Sequence, residues 1–180
     1  MAPLIQEKIR QAVGILRELE IDCWLTFTRE SELLGDPVLP FLVDGAVTWH
    51  SAFIVTSSGK TLAIVGQYDK PTVEETGAYD EVTGYVEGIA ESFVATMRAL
   101  DPRTIAINYS ETSEICDGLT HGMYLTLVGL LSRIGYQDRL VSAERLVSAL
   151  RERKTATELG RICQATQAAE AVFCSVRGFI

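Results

Sequence analysis

The apolar residues near the start of the chain recur at helical spacing. Charged and polar residues separate them, a pattern typical of an amphipathic helix whose apolar side faces a core. The apolar positions are Ile5, Ile9, Val13, Leu16 and Leu19. Residues 22–28, DCWLTFT, are a short run rich in β-branched and aromatic side chains, which predicts a strand.

The middle of the chain alternates between extended and helical patterns. Residues 29–47 contain two glycines and two prolines, which indicates a loop. Two apolar runs, SAFIVT and TLAIVG, are joined by a glycine-containing turn and predict a β-hairpin over 51–66. The elements predicted after it are a short helix at 69–76, a weak strand at 81–85, a helix at 88–100, a strand at 104–110, a helix at about 117–131, a strand near 138–143 and a helix from Ser142 to Leu150.

The last helix is the most regular of all. Thr155 followed by Glu158 is the capping-box pattern that begins a helix. Apolar or small residues then recur at alternating spacings of three and four, which is typical of a helix that packs against another helix. We call these positions the terminal seam: Leu159, Ile162, Thr166, Ala169, Phe173, Val176 and Ile180. Without a partner, this helix is expected to pack against a second copy or to fray.

Strands that alternate with helices, together with one hairpin, predict an α/β fold. We expect a mixed β-sheet flanked by helices, followed by the one long helix. The only predicted boundary falls near Arg153 and divides the chain into residues 1–153 and 154–180.

Composition and charge exclude several classes of function. The 180 residues are 47% hydrophobic and 22% charged, the balance of a soluble globular protein with a real core. A net charge of -8 argues against nucleic acid or an anionic membrane as a partner. The uncharged stretch at 118–132 is too short to span a bilayer. Because the chain opens without a signal-peptide pattern, we expect a cytoplasmic protein.

The four cysteines form no CxxC pair, and their spacing suits neither a zinc site nor a disulfide framework. They are interpreted as small buried hydrophobic residues: Cys23, Cys116, Cys163 and Cys174. The NYS triplet at Asn108 matches a glycosylation acceptor but ends an apolar run, so this interpretation is set aside.

Standard catalytic motifs are absent from the sequence, including GxGxxG, GxxxxGK[ST] and GxSxG. His121 follows Asp117 by one predicted helical turn, which suits either an ordinary hydrogen bond or an oriented base or ligand. Asp69 and Asp80 alone do not make a metal site, since further carboxylate or imidazole ligands are needed. The sequence therefore predicts no catalytic and no metal-binding residue in this chain.

The loop before the hairpin contains the candidate contact residues. Arg29, Phe41, Trp49 and His50 combine a cation, two aromatic rings and an imidazole in a non-periodic segment. Loops held by a rigid sheet are where contacts to partners and substrates concentrate. We interpret the four as candidate interface or substrate-access residues; the alternative is that Phe41 and Trp49 fill the core of the sheet.

The segment SALRERKTATEL resembles the junction between the two domains of the creatinase/prolidase family, the pita-bread metallopeptidases. Its Arg151, Lys154 and Glu158 have the R-x-x-K-x-x-x-E spacing of the family junction. The order of segments before it is similar too: the opening helix, a DPVLPFL loop, the hairpin, IAINYS and DGLTHGMY. The resemblance covers essentially the whole chain.

The resemblance implies that residues 1–153 are the family's amino-terminal domain and that 154–180 begin an absent catalytic domain. In the family, that domain binds two divalent metals, such as manganese, cobalt or zinc, through two Asp, one His and two Glu. These ligands would lie after Ile180, so no cofactor is expected in this segment. The expected partners are the chain's own catalytic domain, a second copy in a homodimer and proline-containing peptides.

The function implied is that of a non-catalytic domain that supports dimerisation and controls access to the active site of an Xaa-Pro dipeptidase or aminopeptidase. Two alternatives stay open. The chain is a stand-alone α/β binding domain without peptidase activity, or it is a self-contained enzyme that uses Asp117 and His121. Folds host many functions, so the fold alone does not separate them.

Overall fold

The computed structural model describes residues 2–33 and 35–177, and within them the chain forms one six-stranded sheet covered by helices. The strands are β1 (Cys23–Thr28), β2 (Ser51–Thr56), β3 (Thr61–Gly66), β4 (Glu81–Tyr85), β5 (Ile105–Ile107) and β6 (Leu140–Ser142). The helices are α1 (Ala2–Glu18), α2 (Lys70–Glu74), α3 (Ala90–Leu100), α4 (His121–Ser132), α5 (Glu144–Glu152) and α6 (Ala156–Arg177). Short 3-10 helices lie at Leu39–Phe41 and Gln137–Arg139.

The sheet is mixed. Its strand order is β4-β3-β2-β1-β5-β6, in which β1, β2 and β3 pair antiparallel and every other neighbouring pair is parallel. The predicted hairpin is present as β2 and β3, because a turn containing Gly59 at a φ of 100° joins them. The predicted fold class, a mixed sheet flanked by helices and followed by one long helix, is confirmed.

Both faces of the sheet are buried, which explains why β1, β2 and β3 read as continuous apolar runs rather than alternating ones. Trp24 and Phe53 lie on the face covered by α1 and α5, while Leu25 and Ile54 lie on the face covered by α3 and α4. Neighbouring residues point to opposite sides because side chains alternate along a strand. The central strands therefore form a rigid support for the helices on both faces and for the loops at the sheet edges.

Helix beginnings differ from the sequence prediction where a polar residue near the helix start sets the local geometry. The fourth helix begins at His121 rather than near Asp117, because Thr120 caps it and accepts a hydrogen bond from Met123 N at 3.4 Å. The fifth begins at Glu144, and Ser142 Oγ accepts the Glu144 N–H at 3.1 Å. In the part of the chain that the structure describes, no helix is long and apolar enough to cross a membrane.

Candidate functional site

The loop between β1 and β2 begins and ends at one place on the sheet edge. Antiparallel pairing sets Thr28 opposite Ser51, so the residues just outside the strands, Arg29 and His50, are brought close together. Both line an open pocket of about 400 Å³, together with Trp49. We call it the Trp49 pocket. Three of the four predicted contact residues therefore meet at one surface.

The surroundings of the histidine in the Trp49 pocket favour its neutral form. Burial lowers the pKa of His50, and the nearby positive charge of Arg29 lowers it further. Its ring centre lies 6.0 Å from that of Phe27. The hydroxyl of Tyr85, which also lines the pocket, donates to the His50 main-chain oxygen at 2.8 Å. Burial, with the charge of Asp69, raises the pKa of Tyr85 to about 12, so this phenol stays protonated.

The indole of Trp49 is held from several sides. Its ring centre is 5.8 Å from that of Tyr85 and 6.0 Å from that of Tyr68, which is 85% exposed. A Cβ on Gly66 would lie 2.9 Å from Trp49 Cε3, so only glycine allows this packing. Asp69 Oδ2 accepts main-chain N–H groups of Thr48 at 3.0 Å and Trp49 at 3.4 Å. The pocket thus offers one cation, one neutral imidazole and an oriented aromatic surface.

Phe41 lies apart from the other three candidate residues. It ends the 3-10 helix over the opposite face of the sheet and packs against the core that contains Trp24. Its ring lies 5.5 Å from Lys8 Nζ and 5.7 Å from the Arg151 guanidinium carbon. The four therefore do not form one constellation, because helical turns within the loop turn Phe41 towards α1 and α5.

A buried polar cluster that the sequence interpretation missed fixes this loop. Asp36 is 3% exposed, and its carboxylate accepts hydrogen bonds from Val38 N at 3.0 Å and from Asn108 Nδ2 at 2.8 Å. Asn108 also accepts from Trp24 Nε1 at 2.8 Å. Burial raises the pKa of Asp36 against the effect of these hydrogen bonds. A Cβ on Gly118 would overlap the carboxyl group of Asp36, so the position admits only glycine.

Asn108 itself is 2% exposed, which agrees with setting aside the glycosylation interpretation. One feature of the sequence points to a buried structural role for Asn108: it is a polar residue directly after an apolar strand. A buried amide must find partners, and it finds them on β1 and on the loop.

The second notable feature is α6, whose terminal seam is uncovered. Leu159, Ile162, Phe173 and Val176 are 52%, 48%, 77% and 51% exposed. No described residue of α6 is buried. Ile180, the last seam position of the prediction, lies outside the described residues.

The start of α6 is held firmly despite that exposure. Thr155 N donates to Glu158 Oε2 at 2.8 Å and Glu158 N donates to Thr155 Oγ1 at 3.2 Å, the two hydrogen bonds of the predicted capping box. Glu158 also forms a 2.8 Å salt bridge with Lys8 of α1. Thr157 Oγ1 donates to Glu7 Oε1 at 2.6 Å.

Lys8 joins three helices through one ammonium group. The residue is 1% exposed, and the three N–H groups of its Nζ are shared among four acceptors: Glu158, Leu150 O at 2.7 Å, Arg153 O at 3.0 Å and Gln11 Oε1 at 3.0 Å. The main-chain carbonyls of Leu150 and Arg153 have no partner within α5 because the helix ends there, and the lysine provides their hydrogen-bond donor. We call this arrangement, built on Lys8 at the meeting of α1, α5 and α6, the Lys8 joint.

Asp117 and His121 do not form the predicted helical pair, because Asp117 lies before the helix begins. Both line one further pocket, and the ring of His121 stacks on Tyr124 with centres 6.5 Å apart. The other aspartates considered for metal binding hold the main chain instead. Asp69 caps the loop described above, and Asp80 Oδ2 accepts Thr61 N at 2.8 Å.

Within the described part of the chain, no three His, Cys, Asp or Glu side chains are grouped so that they could hold a metal ion. The cysteine prediction is correct for two of the four. Cys23 and Cys116 are buried, and burial raises the pKa of each thiol to about 12, which keeps both unreactive. Cys163 and Cys174 are exposed, contrary to the prediction, because they lie on the uncovered helix α6.

Comparison with solved structures finds the same fold in Xaa-Pro peptidases. An X-Pro aminopeptidase from Thermotoga maritima superposes with a TM-score of 0.65 at 14% identity, covering 96% of this chain and 43% of its own. An Xaa-Pro dipeptidase from Bacillus anthracis superposes with a TM-score of 0.61 at 18% identity, and the match covers 98% of this chain and 44% of the dipeptidase. A proline dipeptidase structure from Streptococcus pneumoniae superposes with a TM-score of 0.57 at 13% identity, and the match covers 81% of this chain and 98% of that one.

The sequence matches no protein-family model and no curated protein. At these identities the structural likeness establishes the fold. The chain spans less than half the length of the first two neighbours, which is consistent with an amino-terminal-domain-like fragment. The resemblance to the creatinase/prolidase amino-terminal domain is confirmed at the level of fold.

Proposed function

We propose that this chain is the non-catalytic amino-terminal domain of an Xaa-Pro dipeptidase-like or aminopeptidase-like metallopeptidase. The observation that carries the proposal is α6, a firmly anchored helix with an uncovered apolar seam, in a chain that spans less than half of the Bacillus anthracis and Thermotoga maritima structures. In this proposal, the terminal seam packs against the catalytic domain that follows. Residues 1–153 are one domain and α6 is the first element of the next.

The metal ions belong to that second domain. The described residues of this chain do not fit a metal site, since the aspartates considered for one are bound to main-chain N–H groups. We therefore assign no metal-dependent step to this chain. Manganese, cobalt or zinc would be held by the catalytic domain, and the whole protein would work in the cytoplasm.

The Trp49 pocket supports a role in dimerisation or in access of peptide to the active site. A guanidinium binds a carboxylate or carbonyl oxygen, and an indole face packs well against a proline ring. Arg29 and Trp49 offer both at one surface. Tyr68 and Val86 beside it are 85% and 68% exposed, so the surface is available to a second subunit.

Reading the gene beyond Ile180 tests the domain assignment. We expect an uninterrupted frame that encodes the ligand set of two Asp, one His and two Glu. A native stop codon would remove the proposal and favour the stand-alone binding domain. Hydrolysis of an Ala-Pro dipeptide by the 180-residue chain alone, with manganese or cobalt, would contradict both.

In the full-length protein, Trp49→Ala tests the pocket. We expect a higher KM or a weaker dimer, with an unchanged metal content, because the change removes contact surface and leaves the catalytic domain intact. Phe41→Ala is the comparison, since Phe41 lies away from the pocket. Unchanged kinetics and unchanged mass in solution for Trp49→Ala would show that the pocket has neither role.

A further inference from the structure

A second pocket, of about 700 Å³, lies at the edge of the sheet between the first turn of α4 and the edge strand β6. Its wall includes Tyr109, Asp117, His121, Tyr124, Gln137 and Asp138. We call it the Tyr124 pocket. Loops and helix starts bring these residues together from three separate stretches of the chain.

Aromatic rings form part of the wall. His121 and Tyr124 are stacked, with ring planes 25° apart, and Tyr109 and Tyr124 are each 38% exposed. Tyrosine faces carry negative electrostatic potential and attract organic cations. The half-exposed rings therefore offer a surface that favours a positive group with an apolar body.

The charges in the wall have one sign. Asp117 and Asp138 are carboxylates, and among the described residues no lysine or arginine lines the pocket. The neighbouring Arg139 is engaged elsewhere: its guanidinium lies 3.6 Å from the Tyr136 ring centre and bonds Asp101 Oδ1 at 2.7 Å. The start of α4 adds a partial positive charge of about one half of an elementary charge. The two negative charges of the carboxylates are larger, so the pocket remains negative overall.

One hydrogen-bond acceptor in the wall has no partner. Gln137 Nε2 donates to Asp138 Oδ2 at 3.1 Å, whereas Gln137 Oε1 is shielded from solvent and accepts nothing in the described structure. The Gln137 amide N–H group therefore orients the Asp138 carboxylate, which is the acceptor for a ligand, while the shielded oxygen is not a ligand contact. Guanidinium and ammonium groups are rich in donors for carboxylates.

We propose that the Tyr124 pocket binds an organic cation, a guanidinium or ammonium group on a short carbon chain. The rings contact the carbon chain and the face of the cation, while Asp117 and Asp138 neutralise its charge. This inference does not depend on the relation to peptidases, since it uses only groups of this chain.

Nuclear magnetic resonance titration of the 180-residue chain tests the proposal. The probe is N-acetyl-arginine methylamide, and its citrulline analogue is the uncharged control of the same shape. We expect the arginine compound to shift the ring signals of His121 and Tyr124 saturably, and the citrulline compound to bind at least about tenfold more weakly. Equal binding of the two, or no saturable shift, would overturn the proposal.

Two double variants locate the effect. Asp117→Asn with Asp138→Asn is expected to weaken binding of the arginine compound by roughly tenfold or more. Glu111→Gln with Glu170→Gln removes the same charge from exposed sites outside the pocket and is expected to leave binding unchanged. Equal effects of the two pairs would contradict a site at this pocket. Butylguanidinium alone then separates recognition of a free cation from recognition of an arginine side chain in a peptide.

Discussion

The first and last helices of the chain have the same kind of sequence and opposite surroundings. Both carry an apolar stripe at helical spacing. In α1 the stripe is buried, with Ile5 and Ile9 at 1% and 3% exposure. In α6 it is open, with Ile162 at 48% and Phe173 at 77%.

The difference shows what hydrophobic periodicity decides. It determines that a segment is helical and which side is apolar, but the partner of that side lies elsewhere in the chain. For α1 the partners are the sheet and α5, both present. For α6, no described residue covers the stripe, so its large side chains lack the burial worth about 1.5–3 kcal/mol each.

The largest expected effect comes from shortening one isoleucine in each stripe. Ile9→Ala removes buried methyl groups from a filled core and is expected to lower the free energy of unfolding by about 2–5 kcal/mol. The matched change Ile162→Ala removes the same atoms from an exposed side chain, so we expect less than about 0.5 kcal/mol. Urea unfolding of the 180-residue chain measures both. Similar losses would mean that α6 is covered in solution.

The next effect concerns the Lys8 joint. Lys8→Met nearly keeps the length of the side chain but leaves Leu150 O without its donor and the Glu158 carboxylate without its ion-pair partner, so we expect a loss of about 1–3 kcal/mol. Hydrogen exchange should also become faster at residues 155–158. Lys60→Met, at an exposed position away from these three helices, is the control for removal of a lysine. If both variants behave alike, the joint does not hold α6.

The joint should also weaken in acid. Partial burial raises the pKa of Glu158, but the hydrogen bond from Lys8, the one from Thr155 N and the charge of Lys8 outweigh it, so the pKa lies below its ordinary 4.5. A lowered carboxyl pKa gives stability that is present above pH 4.5 and is lost as the pH falls through the lowered value. The protection of residues 155–158 against exchange, measured relative to the intrinsic exchange rate at each pH, should therefore fall in acid. In Glu158→Gln, that acid-induced step should be smaller.

The smallest expected effect on stability, although a clear one on association, comes from Phe173→Asp. Because the ring is exposed, the free energy of unfolding should change by no more than about 0.5 kcal/mol. Light scattering should show a dimer of the 180-residue chain shifting towards monomer, while the far-UV spectrum is kept. Gln167→Asp, off the terminal seam, is the control. If the Phe173→Asp variant stays fully dimeric, the dimer contact lies in residues 1–153 and not on the terminal seam.

Local patterns predicted most of the fold, because strands and hairpin depend on neighbouring residues. The runs SAFIVT and TLAIVG give β2 and β3, and Thr155 with Glu158 gives the capping box. The sequence pattern predicts the start of α4 about four residues too early, because the polar cap Thr120 stands within a segment rich in apolar residues.

Long-range polar contacts were not predictable in the same way. Lys8 looks like a solvent-facing charge on an amphipathic helix, yet its partners at Leu150 and Arg153 lie more than 140 positions away. Asp36 and Asn108 are likewise joined only by the fold. The Trp49 pocket was partly predictable, because Arg29 and His50 flank adjacent strands, while the contribution of Tyr85 depends on β4 lying at the sheet edge.

The Lys8 joint has a mechanical consequence. The 22 residues of α6 form a rod of about 33 Å at 1.5 Å per residue. A tilt of roughly 10° at its base would move the far end by roughly 6 Å, about one helical turn. A domain packed along the helix would then no longer match the positions of the seam side chains. The position of the far end is therefore set by a few polar contacts at the base, above all the ion pair of Lys8 with Glu158 and the hydrogen bond of Thr157 to Glu7. Replacing the ammonium group with a methyl group would make the orientation of the whole rod less well defined.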